Sequence, residues 1–214
     1  MNHQIKSKER VAAHGEVFTS EREVNAMLDL VKAETERIDS RFLEPSCGDG
    51  NFLIEILRRK LSVCELRAKT KQYTQLQYEQ AAVQAVSSIY GIELLADNAE
   101  ACRKRLLECF WTKYHALFKD RCKDECLRSA DFLLKKNIIH GDALTYRRVD
   151  FPDRWIHISE WGFIGGGMVN RRDYEFSYLV GERESGGLFT DIPCETYAPV
   201  HFLKLSAQAY GEQL

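Results

Sequence analysis

Proline is scarce in this sequence, and long apolar runs are missing. Only 4 prolines and 13 glycines occur in 214 residues, which excludes collagen-like and low-complexity chains. No stretch approaches the roughly 18 apolar residues that a membrane-spanning helix needs, so we expect no membrane association. Residues 1–10 are polar and have no apolar core of a secretory signal. We therefore expect a cytoplasmic protein.

An excess of charge of one sign is also missing. The 30 basic and 32 acidic residues give a formal net charge of −2, which argues against strong stand-alone binding to nucleic acid. The seven cysteines are an odd number, which favours free thiols over a disulfide framework. The spacings of Cys102, Cys109, His115, Cys122 and Cys126 match helical faces and include no Cys-x-x-Cys knuckle, which disfavours a zinc site. We predict no metal site.

The apolar content, 44%, is sufficient for one core, and strand and helix signals alternate along the chain. Ser20 and Glu23 form a capping-box pattern before an amphipathic helix whose apolar residues Val24, Met27, Leu28 and Val31 recur at helical spacing. Strands are predicted at 41–44, 89–94, 137–144 and 155–158, with helices after the first two. Residues 61–87 predict an inserted exposed helix with a break near Thr70. This order predicts an α/β fold.

The chain is predicted to be a single domain with three parts. Residues 1–40 form an N-terminal helical segment, and residues 41–163 form the α/β core. Residues 164–214 contain glycine-rich turns between short β-prone pieces, and we expect an irregular β-rich tail of hairpins and loops.

Polar residues and glycines gather where the predicted strands end. The first strand runs into the turn at residues 46–50, the second ends in Glu93 and the third in Asp142. Ligands of open α/β sheets bind outside the carboxyl ends of the strands, where a carboxylate after the second strand can accept hydrogen bonds from ribose. The turn lacks the third glycine of the dinucleotide motif, which disfavours NAD and FAD, and by itself it is equally compatible with a plain turn.

Residues 42–53, FLEPSCGDGNFL, resemble the S-adenosylmethionine-binding motif of adenine-N6 DNA methyltransferases from restriction-modification systems. The resemblance implies a Rossmann-like methyltransferase fold in which this turn wraps the methionine part of the cofactor. It assigns cofactor binding to the following residues of the turn: Glu44, Pro45, Cys47, Gly48, Gly50 and Phe52.

Three further segments resemble the same family in its gamma motif order. Residues 15–20 precede the first long helix, residues 90–93 form the second strand, and residues 140–144 end the third. The resemblance implies that Glu93 binds the ribose hydroxyls and that Asp142 binds the adenine amine of the cofactor. It also assigns cofactor contacts to Phe18, Thr19, Leu94 and Ala143.

The family's catalytic Asn/Asp-Pro-Pro-aromatic motif is missing, because the chain contains no Pro-Pro pair. Glu160, Trp161 and Phe163 follow the fourth predicted strand and occupy the corresponding position. Glu160 is expected to accept a hydrogen bond from a flipped-out adenine, with Trp161 or Phe163 stacking on the base. An equally simple interpretation is a loop whose tryptophan seals the edge of the sheet.

Only about fifty residues follow this position, so the methyltransferase fold is expected to be truncated. Recognition of a DNA sequence would then need another subunit or domain, and a protein partner or homo-oligomer is expected. Two hypotheses of function remain: an S-adenosylmethionine-dependent DNA methyltransferase, and a non-catalytic methyltransferase-like subunit of a restriction-modification or mobile-element assembly. A third hypothesis keeps the cofactor and changes the acceptor to RNA, protein or a small molecule.

Overall fold

The computed structural model describes residues 5–180 and 192–210. The helices are α1 (Lys8–His14), α2 (Glu21–Asp29), α3 (Lys32–Glu36), α4 (Asn51–Lys69), α5 (Gln75–Ser87), α6 (Ala96–Phe118), α7 (Asp124–Asn137) and α8 (Phe176–Leu179). The strands are β1 (Phe42–Glu44), β2 (Ile89–Glu93), β3 (Ile138–Asp142), β4 (Arg147–Arg148), β5 (His157–Ile164), β6 (Met168–Glu175) and β7 (Glu195–His201). Short 3₁₀ segments follow α6, β5 and β7. None of the described helices combines the length and apolarity needed to cross a membrane.

The first sheet has the strand order β1-β2-β3-β4, and its first three strands are parallel. The register aligns Glu44 with Gly91 and Glu93 with His140, so the carboxyl ends of these strands lie along one edge. At the other edge of the sheet, the two-residue strand β4 pairs antiparallel with β3. The predicted α/β class with a parallel sheet is therefore confirmed at this level.

The helices between the parallel strands cover one face of this sheet. Successive strands move across the sheet in one direction, and right-handed crossovers then place their helices on the same side. Gly91 of β2 faces α4, because an added Cβ would lie 2.9 Å from Leu53 Cδ1. Ile92 points the other way, into a buried cluster with Ile139, Ile156 and Phe176. Each such fully buried side chain contributes about 1.5–3 kcal/mol to stability.

Two local predictions about the helices are confirmed. Ser20 caps α2, with its backbone N–H donating to Glu23 Oε2 at 3.1 Å and its hydroxyl accepting from Glu23 N at 3.4 Å. Of the four expected apolar residues only Val24 and Leu28 are buried, and Met27 is 54% exposed. Val31 is 45% exposed and lies beyond the helix, which ends at Asp29. The expected break near Thr70 separates α4 from α5, which begins after a second capping box at Thr74. The expected exposure of residues 61–87 is wrong, because Leu61, Cys64 and most of α5 are buried in the main core.

The prediction of a fourth strand in the parallel sheet is wrong. The strand expected at residues 155–158 is β5, which runs to Ile164 and pairs antiparallel with β6 from His157↔Glu175 to Ile164↔Met168. A glycine turn joins them, with Gly166 at φ +73° and Gly167 at φ +74°. The expected boundary between core and tail, after residue 163, therefore falls inside the β5–β6 hairpin. Strand β5 belongs with β6 and β7 in a separate antiparallel sheet.

A buried ion pair joins the three strands of the second sheet. Arg171 donates from Nε to Asp173 Oδ1 at 2.8 Å and from Nη2 to Oδ2 at 2.6 Å, both on β6. Ser159 Oγ of β5 and Tyr197 OH of β7 donate to the same carboxylate at 2.7 and 3.4 Å. Removing one partner of a buried pair typically costs about 3–5 kcal/mol, so loss of Arg171 or Asp173 alone would destabilise this sheet.

Lys60 of α4 is fully buried at the amino end of β1. Its ammonium donates to Ser88 Oγ at 2.6 Å and to the carbonyl oxygens of Ile38, at 3.2 Å, and Ser40. It also lies 5.1 Å from the centroid of the Phe42 ring. No carboxylate among residues 5–180 and 192–210 forms an ion pair with the ammonium, and burial lowers the pKa of Lys60 to about 8. The side chain thus holds residues 38–40, which lead into β1, against α4. This arrangement removes the ammonium from water, which is energetically unfavourable.

Replacing Lys60 should change how stability depends on pH. In the unfolded chain the lysine pKa is near 10.5, so between pH 8 and 10 the unfolded state binds more protons than the folded state. The free energy of unfolding of the wild type should therefore rise by about 2 kcal/mol relative to Lys60→Met between pH 7.5 and 9.5. Urea unfolding at each pH measures this difference.

Lys32→Met provides the matched control, because Lys32 is exposed and its side chain is 64% accessible. The control should run parallel to the wild type over the same pH range. Parallel curves for Lys60→Met and wild type would contradict a buried, desolvated ammonium.

Candidate functional site

A cleft of about 230 Å³ lies at the carboxyl ends of β1 and β2. Three pieces of chain form its walls: the segment before α2, the turn between β1 and α4, and the end of β2 with the start of α6. The lining residues are Gly15, Glu16, Val17, Phe18, Thr19, Glu44, Ser46, Cys47, Gly48, Asn51, Phe52, Glu93, Leu94, Leu95 and Asn98.

The turn after β1 needs glycine at two positions. Gly48 has φ +55° and Gly50 has φ +95°, which other residues rarely adopt. Cys47 N donates to Ile92 O at 3.0 Å, and Gly50 N donates to Cys47 O at 2.9 Å, so the turn is tied to β2 and to itself. A Cβ on Gly50 would lie 2.7 Å from Cys102 Sγ of α6. The close packing of α6 therefore also requires glycine there.

The Glu93 carboxylate connects the two sides of the cleft. Its Oε2 accepts from Gly48 N at 2.8 Å, and its Oε1 accepts from Leu95 N at 2.9 Å and from Asn98 Nδ2 at 3.4 Å. The side chain is nearly buried, with Glu93 6% exposed. The carboxylate thus holds the turn of β1 against the first residues of α6.

The segment before α2 is docked over the turn by charged contacts. Glu16 accepts from Arg10 Nη2 at 2.7 Å and from Asn98 Nδ2 at 2.6 Å, and the Arg10 hydrogen bond lowers the pKa of Glu16. Arg10 also pairs with Asp97 at 2.8 Å. A Cβ on Gly48 would lie 3.1 Å from the Phe18 ring, so this ring covers the turn directly.

Arg105 of α6 supports the turn from outside the cleft. Its Nη1 lies 2.7 Å from both the carbonyl oxygen and Oδ1 of Asp49, and its Nη2 donates to Asn51 Oδ1 at 3.0 Å. Asn51 Nδ2 in turn donates to Thr19 O at 3.0 Å. One guanidinium therefore links the turn to the segment that carries Phe18.

The structure brings most of the predicted cofactor residues into this cleft. Those that line it are Phe18, Thr19, Glu44, Cys47, Gly48, Phe52, Glu93 and Leu94. Pro45 and Gly50 lie in the turn but do not line the cleft. Glu16 and Asn98 also line the cleft, and neither was predicted as a site residue. They are far apart in the sequence, and only the fold brings them together.

Asp142 and Ala143 do not line the cleft. Asp142 ends β3, and its Oδ1 accepts from Leu144 N at 2.8 Å. His140, two residues earlier, lies 3.0 Å from Leu94 O through its ring Nε2. The third strand therefore ends on the same edge of the sheet, beyond the boundary of the cleft.

The structure places Glu160, Trp161 and Phe163 inside β5 rather than after the end of a fourth parallel strand, so the expected location is wrong. Glu160 pairs with Arg41 at 2.8 Å and with Arg172 at 3.2 Å. Trp161 is 7% exposed, and Phe163 is half-buried against the main core. None of the three lines the strand-end cleft.

Trp161 has a structural partner that explains its burial. Its indole Nε1 donates to Asn137 Oδ1 at 2.9 Å, and its ring meets the Phe132 ring edge-on with centroids 6.0 Å apart. Asn137 itself donates to the carbonyl oxygens of Ser87 and Ile89. The tryptophan therefore joins β5 to the amino end of β2 and has little surface left to stack on a base.

The electrostatic character of the cleft is set by carboxylates. Glu16, Glu44 and Glu93 line it, and no lysine or arginine is among the lining residues. Glu16 is paired with Arg10 from outside the lining, so Glu44 and Glu93 contribute most of the negative charge. Burial raises the pKa of Glu44, and a hydrogen bond from the backbone of Ser46 offsets part of this rise. The cleft therefore favours a ligand with positive charge and disfavours phosphate groups.

Comparison of the chain with protein-family models, curated proteins and solved structures finds no match. Larger clefts exist elsewhere, including one of about 630 Å³ beside β1 and one of about 1210 Å³ beside β6 and β7. The strand-end cleft is the candidate site because it combines the glycine turn, the backbone donors of a helix start and three carboxylates.

Substituting Gly50 should strain the turn and push against α6. Gly50→Ala places a Cβ 2.7 Å from Cys102 Sγ at a φ that alanine rarely adopts, and we expect a loss of about 2–4 kcal/mol in unfolding free energy. Adding Cys102→Ala removes the contacted sulfur. The loss of unfolding free energy in the double variant should therefore be about 1–2 kcal/mol smaller than the sum of the losses in the two single variants.

Gly165→Ala is the control, because an added Cβ there meets nothing within 4 Å. It should change the denaturation midpoint little. Strict additivity of Gly50→Ala and Cys102→Ala in urea unfolding would contradict the close packing of α6 on the turn.

Proposed function

We propose that this chain binds S-adenosylmethionine in the strand-end cleft and acts as a methyltransferase resembling the adenine-N6 DNA class. One observation carries the proposal: Glu44 and Glu93, together with a Glu16 that is paired with Arg10, line the cleft without a basic lining residue, around a glycine turn at the carboxyl ends of parallel strands. S-adenosylmethionine carries a sulfonium and an ammonium, whereas NAD, FAD and ATP carry phosphates. The charge of the cleft therefore favours the first ligand over the others.

The residues present suit such a ligand. An ionised carboxylate has about four acceptor positions, and Glu93 uses three of them, one in a long contact of 3.4 Å with Asn98. This leaves Glu93 able to accept a hydrogen bond from a ribose hydroxyl. Gly48 offers backbone with no side chain, and Glu44 offers a partly buried carboxylate for an ammonium. Phe18 supplies an apolar wall.

The cleft must widen to hold the whole cofactor. Ligand pockets are typically about 300–1,000 Å³, larger than the 230 Å³ found here. The wall made by residues 15–19 is held by the ion pair of Glu16 with Arg10, the hydrogen bond of Glu16 with Asn98 and one hydrogen bond of Asn51 rather than by a large apolar core. An outward movement of this wall is therefore the least costly way to enlarge the cleft, and it would carry Phe18 with it.

The bound cofactor would supply a methyl group on a positively charged sulfur. Transfer to an amine is an in-line displacement, so this chain has to position the two groups and exclude water rather than provide a strong base. Glu44 and Glu93 orient the charged donor in this proposal. DNA is the proposed acceptor, and another subunit or domain would recognise its sequence.

A second candidate function is a cofactor-binding subunit without catalysis of its own. The specific observation that favours it is the position of Glu160 and Trp161, the residues expected to hold the acceptor. Glu160 is neutralised by Arg41 and Arg172, and Trp161 is buried against Asn137. Under this alternative the cofactor site is intact and the acceptor site belongs to a partner.

Calorimetric titration with S-adenosylmethionine tests the cofactor site. We expect a dissociation constant in the micromolar range, about −8 kcal/mol, for the wild type. Glu93→Gln keeps the size of the side chain and removes its charge, so affinity should fall at least about tenfold, the equivalent of 1.4 kcal/mol. Thermal melting of the same variant separates lost affinity from lost folding.

Glu108→Gln is the matched control, since Glu108 is exposed on α6 and does not line the cleft. It should bind like the wild type. Tighter binding of NAD or ATP than of S-adenosylmethionine, or no heat at millimolar ligand, would contradict the proposal.

Transfer of a labelled methyl group to adenine-containing duplex DNA distinguishes the two candidate functions. The methyltransferase proposal predicts labelled DNA whose initial rate of labelling falls in Glu93→Gln, because the donor is bound less tightly. Intact cofactor binding with no labelling of DNA would reject methylation of DNA by this chain alone and favour the second candidate.

A further inference from the structure

Strand β1 has one unpaired edge. Phe42 N donates to Ser88 O at 3.0 Å, and the three residues of β1 pair only with β2. In a parallel pair the hydrogen-bonding groups of alternate residues point to opposite sides, so the N–H and C=O of Leu43 point away from β2. No strand among the described residues pairs with this side.

A cleft of about 630 Å³ lies along this unpaired edge, between β1 and the second sheet. Three consecutive residues, 41–43, line it. Side chains alternate between the two faces of a strand, so consecutive residues can share a cleft only where it reaches the strand's edge. Tyr90 OH donates to Ser159 O at 2.9 Å and spans the gap between the sheets beside it.

Several apolar side chains that line this cleft are exposed to solvent. Leu43 is 44% exposed, Leu179 is 47% exposed and Val180 is 45% exposed, and Ile158 and Phe176 lie behind them. An open strand edge beside exposed aliphatic side chains is the arrangement that natural proteins usually cover with another segment. The shape is therefore that of a site for an extended chain.

The charges of the cleft indicate the chemistry of that chain. Arg41 and Arg172 both pair with Glu160, at 2.8 and 3.2 Å, so two positive groups share one carboxylate. Both guanidinium groups stay partly accessible, with side-chain exposures of 63% and 43%. The remaining positive charge favours an acidic side chain over a basic one.

We propose that an extended acidic segment of a partner protein binds this cleft by adding a strand to the open edge of β1. The backbone of the segment would pair with Leu43, its aliphatic side chains would cover Leu179 and Val180, and its acidic side chain would reach Arg172. This inference goes beyond the proposed methyl transfer and does not require it.

The position of the cleft gives such a partner a place beside the candidate cofactor site. Leu43 lines the β1 cleft and the next residue, Glu44, lines the strand-end cleft. A strand paired with β1 would therefore reach the wall of the second cleft. This step alone rests on the proposed function, under which the partner could supply groups that hold the acceptor.

Short peptides of alternating valine and glutamate are the probe, with alternating valine and lysine as the comparison. Fluorescence anisotropy should show the glutamate peptide binding the full chain at least about tenfold more tightly than the lysine peptide. A glutamate peptide with N-methylated backbone should lose most of its affinity, because it cannot donate hydrogen bonds to β1. Hydrogen exchange should show protection of the Leu43 amide by the unmethylated peptide.

Charge reversal at the surface identifies the contact. Arg172→Glu should reverse the preference, so that the lysine peptide binds more tightly than the glutamate peptide. Arg128→Glu is the matched control, because Arg128 is an exposed arginine of α7 outside the cleft, and it should leave the preference unchanged.

Equal binding of all three peptides, or no binding at millimolar concentration, would overturn the proposal. Concentration-dependent dimerisation that Arg172→Glu abolishes would also overturn it, since a second copy would then occupy the cleft. These assays contain no S-adenosylmethionine, so their failure leaves the cofactor titration unaffected, and a failed titration leaves the peptide result standing.

Discussion

At the end of β2, one nearly buried carboxylate holds together the parts from which the strand-end cleft is built. Glu93 accepts from the backbone of Gly48 in the turn and from Leu95 at the start of α6. Asn98, which also contacts Glu93, donates to Glu16 and so extends the network to the outer wall. Leaving buried donors without their acceptor is costly, so loss of this carboxylate would loosen three segments together.

Two neighbouring residues of β1 face two different environments. Glu44 lines a cleft of carboxylates that favours a cationic ligand, and Leu43 lines a cleft in which Arg41 and Arg172 outnumber Glu160. The β1 strand therefore separates a candidate cofactor site from a candidate partner site.

Local patterns in the sequence predicted local structure well. The capping box at Ser20 and the glycine turn at 46–50 formed as expected, because short-range contacts decide both. The sheet to which residues 155–158 belong could not be predicted, since a strand pattern does not say which strand will be its partner, and that partner is β6 rather than β3. The part of Asn98 in the cleft was hidden for the same reason, as it lies on a helix with no distinguishing motif.

Mapping of amide chemical shifts during titration with S-adenosylhomocysteine tests the central claim most directly. If the strand-end cleft is a cofactor site held by Glu93, the largest shifts should fall on Phe18, Gly48 and Leu95, at its three walls. Residues 157–175 of the second sheet should change little. Shifts concentrated in those residues, or none at saturating ligand, would contradict the account.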